Sequence, residues 1–113
     1  VPERSARMLL RINRSGQVWM QQRPPAGLWG GLWTFPELAL DAESPAGEDW
    51  PAFVHVFSHF RLHIHPRLIR AEGVPQVAEA SGQWVTLAPL PALGVPAPVQ
   101  QLLQRLQVLV ESE

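Results

Sequence analysis

Two segments of this 113-residue sequence carry side chains that could bind or react with a ligand. The first is residues 23–36, where two Trp, one Phe and three Gly fall within nine positions. Glycine permits backbone conformations that other residues resist, and large aromatic rings offer rigid contact surface. The second is residues 57–60, in which two Phe flank Ser58 and His59. A hydroxyl and a neutral imidazole each donate and accept hydrogen bonds, as the recognition of a base edge requires.

The four histidines and the other polar side chains indicate no catalytic centre. His63 and His65 would share one face of a strand, as a metal-binding pair can, but zinc takes three or four protein ligands. The chain has no Cys, and no Asp or Glu lies between residues 51 and 71, so a polar strand face is the favoured interpretation. Ser58 and His59 are adjacent, would point to opposite faces of a strand, and lack a third member for a catalytic triad. We therefore predict neither catalytic residues nor a metal site.

Arginine supplies every basic side chain of the sequence, and its distribution is uneven. Eight of the nine Arg lie in residues 1–36 and 51–70, whereas residues 37–50 contain five acidic side chains and no base. Guanidinium groups match phosphate oxygens in geometry and stack on bases. The net charge of −1 argues against a generic nucleic-acid binder, and short windows fluctuate in charge by chance. The two basic segments are nevertheless the ones that contain both unusual motifs.

Period-two patterns and turn residues predict mostly β-structure up to about residue 87. Residues 8–12 and 17–21 are typical of two strands joined by a hairpin turn, with Gly where a positive φ is expected. Further strands are predicted at residues 33–35, 53–57, 60–65, which continues past Pro66 to 68–71, and 83–87. Strict alternation in residues 60–65 places Phe60 on the buried face. Residues 37–52 are acidic and interrupted by Pro, and predict two helical turns at most.

The last residues predict one amphipathic helix. Pro98 suits the first helical position. One apolar stripe follows, formed by Val99, Leu102, Leu103, Leu106 and Val110. Strands followed by a packed helix indicate an α+β fold.

Size and composition suit one domain with a modest core. The sequence has no run of about 18 apolar residues and no signal-peptide pattern, so no membrane partner is expected. Its first residues, Val1-Pro2-Glu3-Arg4, read as a cut or linker end. The absence of Cys excludes disulfides and is compatible with a reducing cytoplasm.

Three ordered motifs resemble one known family, and together they span nearly the whole chain. Residues 22–36 resemble the signature of the C-terminal domain of MutY-type adenine DNA glycosylases, and residues 57–62 resemble that family's FSH loop. Trp84, residues 93–99 and the Leu-rich end are also similar. The Gly-rich run resembles the start of a Nudix site, where a turn leads into an acidic helix that binds divalent cations. Residues 37–47 lack the Arg and the paired Glu of such a helix and are interrupted by Pro and Gly.

The resemblance implies an α+β, Nudix-like fold with a mixed β-sheet and packed helices, including the C-terminal amphipathic helix. Residues 1–113 would form a single 8-oxoguanine-recognition domain, a fragment of a longer glycosylase without its N-terminal catalytic domain. That missing domain would hold an iron–sulfur cluster and excise adenine paired with 8-oxoguanine, whereas this domain would need no cofactor. Its partners would be duplex DNA with 8-oxoguanine opposite adenine and its own N-terminal domain. The protein would be a monomer located in the cytoplasm, at the bacterial nucleoid.

The same resemblance assigns lesion contact to Phe57, Ser58 and His59. Arg61, Arg23 and Arg14 become candidates for phosphate contacts, although each would serve equally as a solvated surface residue. Two alternatives stay open at this point. One is a free-standing Nudix hydrolase of oxidised nucleotides, which the absent acidic helix disfavours. The other is a protein-interaction domain, which the Trp-rich run would also suit.

Overall fold

The fold was obtained as a computed structural model, and it describes residues 2–75 and 82–113. The described residues form eight strands and one α-helix. The elements are β1 Glu3–Ile12, β2 Gln17–Gln22, β3 Trp33–Thr34, β4 Glu37–Leu38, β5 Glu48–Asp49, β6 Phe53–Val56, β7 Arg61–Arg70, β8 Gly82–Thr86 and α1 Ala97–Glu111. The α+β class, the mixed sheet and the C-terminal helix are confirmed, and α1 is the one α-helix within the described ranges. No helix in these ranges is long and apolar enough to span a membrane.

The centre of the sheet is a long parallel pair, β1 with β7. Its register runs without interruption from Glu3 opposite Arg61 to Ile12 opposite Arg70. β2 extends one side of this pair and is itself flanked by β3 and β8, whereas β5 and β6 lie along the outer edge of β7. Nine residue steps separate the two ends of the parallel pair, which is about 30 Å at ~3.3 Å per residue. We call the Glu3 and Arg61 end the tip end, and the Ile12 and Arg70 end the turn end.

The hairpin between β1 and β2 forms as the sequence predicts. Asn13 Oδ1 accepts hydrogen bonds from the backbone N–H groups of Ser15 and Gln17, both at 3.0 Å, and Gly16 adopts φ 74°. β1 begins at Glu3, five residues before the predicted start at Met8, because pairing with β7 orders its polar first half. A local sequence pattern does not reveal a parallel partner strand that lies some 60 residues away.

β7 runs through Pro66, as predicted, because this proline lies where its missing N–H is not needed. The Pro66 carbonyl accepts a hydrogen bond from Trp50 N at 3.0 Å, so that side of the residue faces the outer edge of β7. The backbone nitrogen of a strand residue faces the same side as its carbonyl. The Pro66 nitrogen therefore also faces the outer edge of β7, between the residues that pair with β5 and those that pair with β6. The bonds toward β1 are therefore kept, in line with the confinement of Pro to positions without a ladder partner.

The helix covers one face of the sheet with the predicted stripe. Val99, Leu102, Leu103 and Leu106 are buried in a single core with strand residues such as Leu10 and Ile64. Val110 is only half-buried, and the helix starts at Ala97, with Pro96 as its N-cap. The acidic segment after Pro36 contributes β4 and β5, which pair with β1 and β7. The expectation of several packed helices therefore reduces to α1 in the described residues.

Candidate functional site

Ser58 and His59 occupy the tip of a tight hairpin between β6 and β7. The backbone N–H of Phe57 donates to the Phe60 carbonyl at 2.8 Å and closes the hairpin behind them. Both tip side chains are exposed, and neither makes a hydrogen bond to any part of the chain that the structure describes. The prediction that these two residues lie where one strand gives way to the next is confirmed. β6 ends at Val56, and Phe57 therefore belongs to the hairpin. The prediction had included Phe57 in the strand.

A group of aromatic rings supports the hairpin from the core side. Phe57 and Phe60 stack with centroids 4.4 Å apart and planes 18° from parallel. His55 meets the Phe57 ring edge-on at 4.7 Å, and the Trp29 ring lies 5.5 Å from Phe57. We call Trp29, His55, Phe57 and Phe60 the aromatic cluster. Phe60 was expected to be buried; it is half-buried, because it packs against the rim of the core where the sheet ends.

Arg4 completes the tip end of the sheet. Its guanidinium carbon lies 4.4 Å from the centroid of the Phe60 ring, within the range of a cation–π contact. Arg4 lies opposite Leu62 in the parallel register and therefore shares the face of Leu62 and Phe60. Because stacking occupies a face of the guanidinium and not its N–H groups, those donors stay available to an acceptor.

The loop that presents Trp29 is held in a demanding conformation. Trp29 adopts φ 54°, a left-handed value that costs a non-glycine residue about 1–3 kcal/mol. Gly30 packs so closely that a Cβ would lie 2.2 Å from the Pro25 carbonyl oxygen. Arg23 Nε donates to the Leu28 carbonyl at 2.8 Å and fixes the loop from the side. The Gly-rich and Trp-rich run thus builds a rigid support for one projecting ring.

The three arginines predicted to contact phosphate lie in different environments. Arg61 is exposed next to the tip, on the sheet face opposite Phe60. Arg23 is engaged within the chain, because it also pairs with Glu37 at 3.1 Å. Arg14 lies at the turn end, about 30 Å from the tip by the strand rise, where it pairs with Glu72 at 3.8 Å. The structure therefore brings only Arg61 together with Phe57, Ser58 and His59.

His63 has an acidic neighbour that the sequence did not reveal. Its Nε2 lies 2.9 Å from Glu3 Oε1, because the parallel register brings β1 alongside β7. The hydrogen bond and the charge of His63 hold the pKa of Glu3 below its ordinary value of 4.5, and the charge of Arg61 acts in the same direction. Within the described ranges, no group of three or more His, Cys, Asp or Glu is arranged to hold a metal ion.

A separate cleft of about 770 Å³ lies beside the Gly-rich loop. Arg23, Glu37 and Thr34 contribute polar groups to its lining, and Phe35 and Pro36 contribute apolar ones. The Arg23 to Glu37 ion pair crosses the polar part of this lining. Its volume lies within the range of small-molecule sites.

Sequence reasoning missed Arg4, Trp29 and His55 as parts of the tip end. Trp29 stood out by composition, but its contact with residues 55–57 is a tertiary one. Arg4 lies in the half of β1 that no period-two pattern marks. His55 was noted only as one of four histidines, although alternation in β6 places it on the same face as Phe53.

Comparison with known proteins gives a family match and a functional name. A protein-family model described as "NUDIX domain" matches residues 7–105. An "Adenine DNA glycosylase" of Buchnera aphidicola subsp. Acyrthosiphon pisum (strain APS) is 27% identical over 106 residues, a match that covers 82% of this chain and 30% of that protein. The chain thus spans about 30% of the length of the curated relatives it matches.

Solved structures show the same fold. The C-terminal domain of mouse MUTYH, in complex with human PCNA, superposes with a TM-score of 0.69 at 17% identity, covering 96% of this chain and 90% of that one. A MutT NUDIX hydrolase from Burkholderia pseudomallei superposes with a TM-score of 0.72 at 16% identity, covering 92% and 98%. The fold is therefore shared by the MUTYH C-terminal domain and by a MutT NUDIX hydrolase, so the fold alone does not decide the function.

Proposed function

Because the chain belongs to the NUDIX domain family and is related to adenine DNA glycosylases, we propose that it is a glycosylase's lesion-recognition domain. The domain would contact 8-oxoguanine opposite adenine in duplex DNA and would itself catalyse no reaction. One observation carries the proposal. The Ser58 and His59 side chains project from a hairpin whose base is fixed by stacked rings, and their polar groups are free to meet a ligand.

The chemistry of the tip matches the chemistry of the lesion. Oxidation at C8 of guanine converts the N7 acceptor into an N–H donor and adds a carbonyl acceptor beside it. The Ser58 hydroxyl can accept from the first and donate to the second, and His59 offers the same two functions. Plain guanine would leave a mismatched group at the contact, which costs about 1–3 kcal/mol when it is buried. Arg61, on the same hairpin, would contact phosphate and set the register.

Base excision would belong to the part of the protein outside these residues. We propose that an N-terminal catalytic domain completes the glycosylase, since the relatives are more than three times as long as the matched region. An iron–sulfur cluster would have to be held there, because this chain has no Cys to ligate it. The whole protein would act as a monomer in the cytoplasm, at the nucleoid, with duplex DNA as its partner.

Hydrolysis of oxidised nucleotides is the second candidate, because hydrolases share the fold and the cleft beside Arg23 has a suitable size. The acidic segment that would have to supply metal ligands is used differently here. Residues 37–38 and 48–49 form short strands on the sheet, and Asp49 is paired with Arg7 and Arg67. This use of the segment favours the binding function.

Binding measurements on the 113-residue chain test the proposal. Two duplexes that differ only in 8-oxoguanine or guanine opposite adenine are titrated at low salt. Affinity should be micromolar at best at physiological salt and steeply salt-dependent. Replacing Ser58 and His59 together by Ala should remove the preference for the lesion, a loss of about 1–3 kcal/mol. Affinity for the guanine duplex should change little.

Ser15→Ala is the matched control, because Ser15 is an exposed turn residue at the opposite end of the sheet. Circular dichroism confirms that each variant is folded. An equal loss of affinity for both duplexes, with the preference intact, would contradict the recognition role. Release of phosphate or pyrophosphate from 8-oxo-dGTP with Mg²⁺ or Mn²⁺, above the level of a Glu37→Gln variant, would favour the hydrolase instead.

A further inference from the structure

We propose that Trp29 is a positioning residue for the lesion-reading tip. Its ring fixes Phe57, and through Phe57 it fixes the direction in which Ser58 and His59 face. The identity of the ligand rests on the proposed function, whereas the contact between Trp29 and the hairpin is independent of it.

Trp29 is held in a strained backbone conformation. A residue with a large side chain at φ 54° is uncommon, and the surrounding structure must hold it there. Three backbone hydrogen bonds do so: Gly31 N to the Pro24 carbonyl, Leu32 N to the Trp29 carbonyl, and Trp33 N to the Gly94 carbonyl, at 2.9–3.0 Å. Such strain is concentrated at sites where a particular side-chain direction matters.

The Trp29 ring packs against two rings next to the tip, His55 and Phe57. Trp29 is half-buried and lies 5.5 Å from the Phe57 ring and 6.1 Å from the His55 ring. Phe57 thus contacts both Trp29, inclined at 44°, and the stacked ring of Phe60. A ring packed against two neighbours loses rotamer freedom, which restricts the backbone of the same residue.

Phe57 is connected directly to the tip. The Phe57 N–H makes the bond that closes the hairpin, and Ser58 follows directly in the chain. Freeing the Phe57 ring would therefore loosen the closing bond and spread the tip over several conformations. Binding would then have to order the tip again, which weakens the lesion contact.

Three variants test this chain of contacts. Trp29→Ala removes the ring, and Trp29→Phe keeps an aromatic group in contact. Trp84→Ala is the matched control, since Trp84 is also half-buried and meets another ring, Trp19, at 5.5 Å. If Trp29→Ala does not fold, Trp29→Gly takes its place, because glycine adopts a positive φ without strain.

The first measurement is hydrogen exchange at the Phe57 amide, which needs no DNA. Exchange should rise about tenfold or more in Trp29→Ala, stay near wild type in Trp84→Ala, and be largely rescued in Trp29→Phe. The second is the preference for the 8-oxoguanine duplex. In Trp29→Ala it should fall to within about twofold of the preference left in the Ser58 and His59 double variant.

The two measurements separate the two hypotheses. Unchanged Phe57 exchange in a folded Trp29 variant would overturn the positioning role, whatever the DNA results. Raised exchange with a full lesion preference would overturn it as well, because the tip would read the lesion without the ring. A wild-type chain without any lesion preference would instead overturn the proposed function, and the exchange data would still decide the role of Trp29.

Discussion

The two ends of the β1 and β7 pair use arginine in opposite ways. At the turn end, Arg14 pairs with Glu72 and Arg70 pairs with Glu113, so each guanidinium has a carboxylate beside it. At the tip end, Arg4 lies over the Phe60 ring, and the hairpin adds a second exposed guanidinium, Arg61. The positive charges at the turn end are therefore neutralised within the chain, whereas those at the tip end are exposed to solvent.

This difference explains why the net charge is a poor guide to which partners this chain could bind. A carboxylate neutralises a guanidinium and competes with phosphate for its donors. An aromatic face fixes the guanidinium but leaves its charge and its N–H edge available. A chain of net charge −1 can therefore keep one positive end, provided that most of its acidic residues lie elsewhere. Glu72 and Glu113 lie at the turn end, and Glu48 and Asp49 form β5. Glu3 does lie at the tip end, where it is paired with His63.

The largest expected effect comes from Phe60, which connects the hairpin, the aromatic cluster and Arg4. Phe60→Ala removes a half-buried ring that stacks on Phe57 at 4.4 Å. Full burial makes such a change cost about 3–5 kcal/mol, so a half-buried ring should cost about 2 kcal/mol of unfolding free energy. Urea denaturation at neutral pH measures the change.

The comparison variant for Phe60→Ala is Arg70→Ala at the turn end. Arg70 and Glu113 form an exposed ion pair, and exposed pairs contribute little to stability. The midpoint of Arg70→Ala should therefore stay near wild type. A loss in Arg70→Ala as large as that in Phe60→Ala would contradict this ranking, because the ion-paired end would then stabilise the sheet as much as the aromatic end.

Much of the fold could be predicted from the sequence, because its signals are local. The hairpin turn after Ile12 follows from Asn and Gly chemistry, and the stripe from Val99 to Leu106 defines the buried face of α1. The first half of β1 escaped prediction because its order comes from β7, far along the chain. Likewise, the carboxylate beside His63 is brought in by this long-range pair.

The candidate site likewise has a part that could be predicted from the sequence and a part that could not. The position of Ser58 and His59 between two strands follows from alternation on either side of them. The support beneath them does not, because Trp29 reaches Phe57 across a tertiary contact and Arg4 arrives through a parallel register. Arg23 differs from its prediction for the same reason. The sequence suggested a phosphate contact for it, but its side chain bonds to the Leu28 carbonyl and pairs with Glu37.

A second, smaller effect concerns DNA affinity. Replacing Arg4 and Arg61 by Gln should reduce the slope of log affinity against log salt by about one for each lost phosphate contact. The same replacement of Arg14 and Arg70 should change the slope less, because carboxylates already occupy those side chains. Fluorescence anisotropy with an undamaged duplex at several salt concentrations measures both. Equal slopes in the two double variants would remove the distinction between the ends.

The smallest expected effect is the response of each end to acid. The pKa of Glu3 is lowered chiefly by its hydrogen bond to His63, and the pKa of Glu113 is lowered chiefly by its hydrogen bond to Arg70. A carboxyl with a lowered pKa in the folded state adds stability above its ordinary value of 4.5, and this contribution is lost as pH falls through the folded value. Unfolding free energy should therefore decrease as pH falls below the ordinary value of 4.5 and through the lowered folded values, and Glu3→Gln and Glu113→Gln should each make that decrease shallower. Both groups are exposed, so each change should be small and should shrink with added salt. Urea titrations at closely spaced pH values resolve it. A Glu3→Gln variant as acid-sensitive as wild type would mean that the pair at the tip end does not form in solution, and the ends would then differ in their acid response as well as in their arginines.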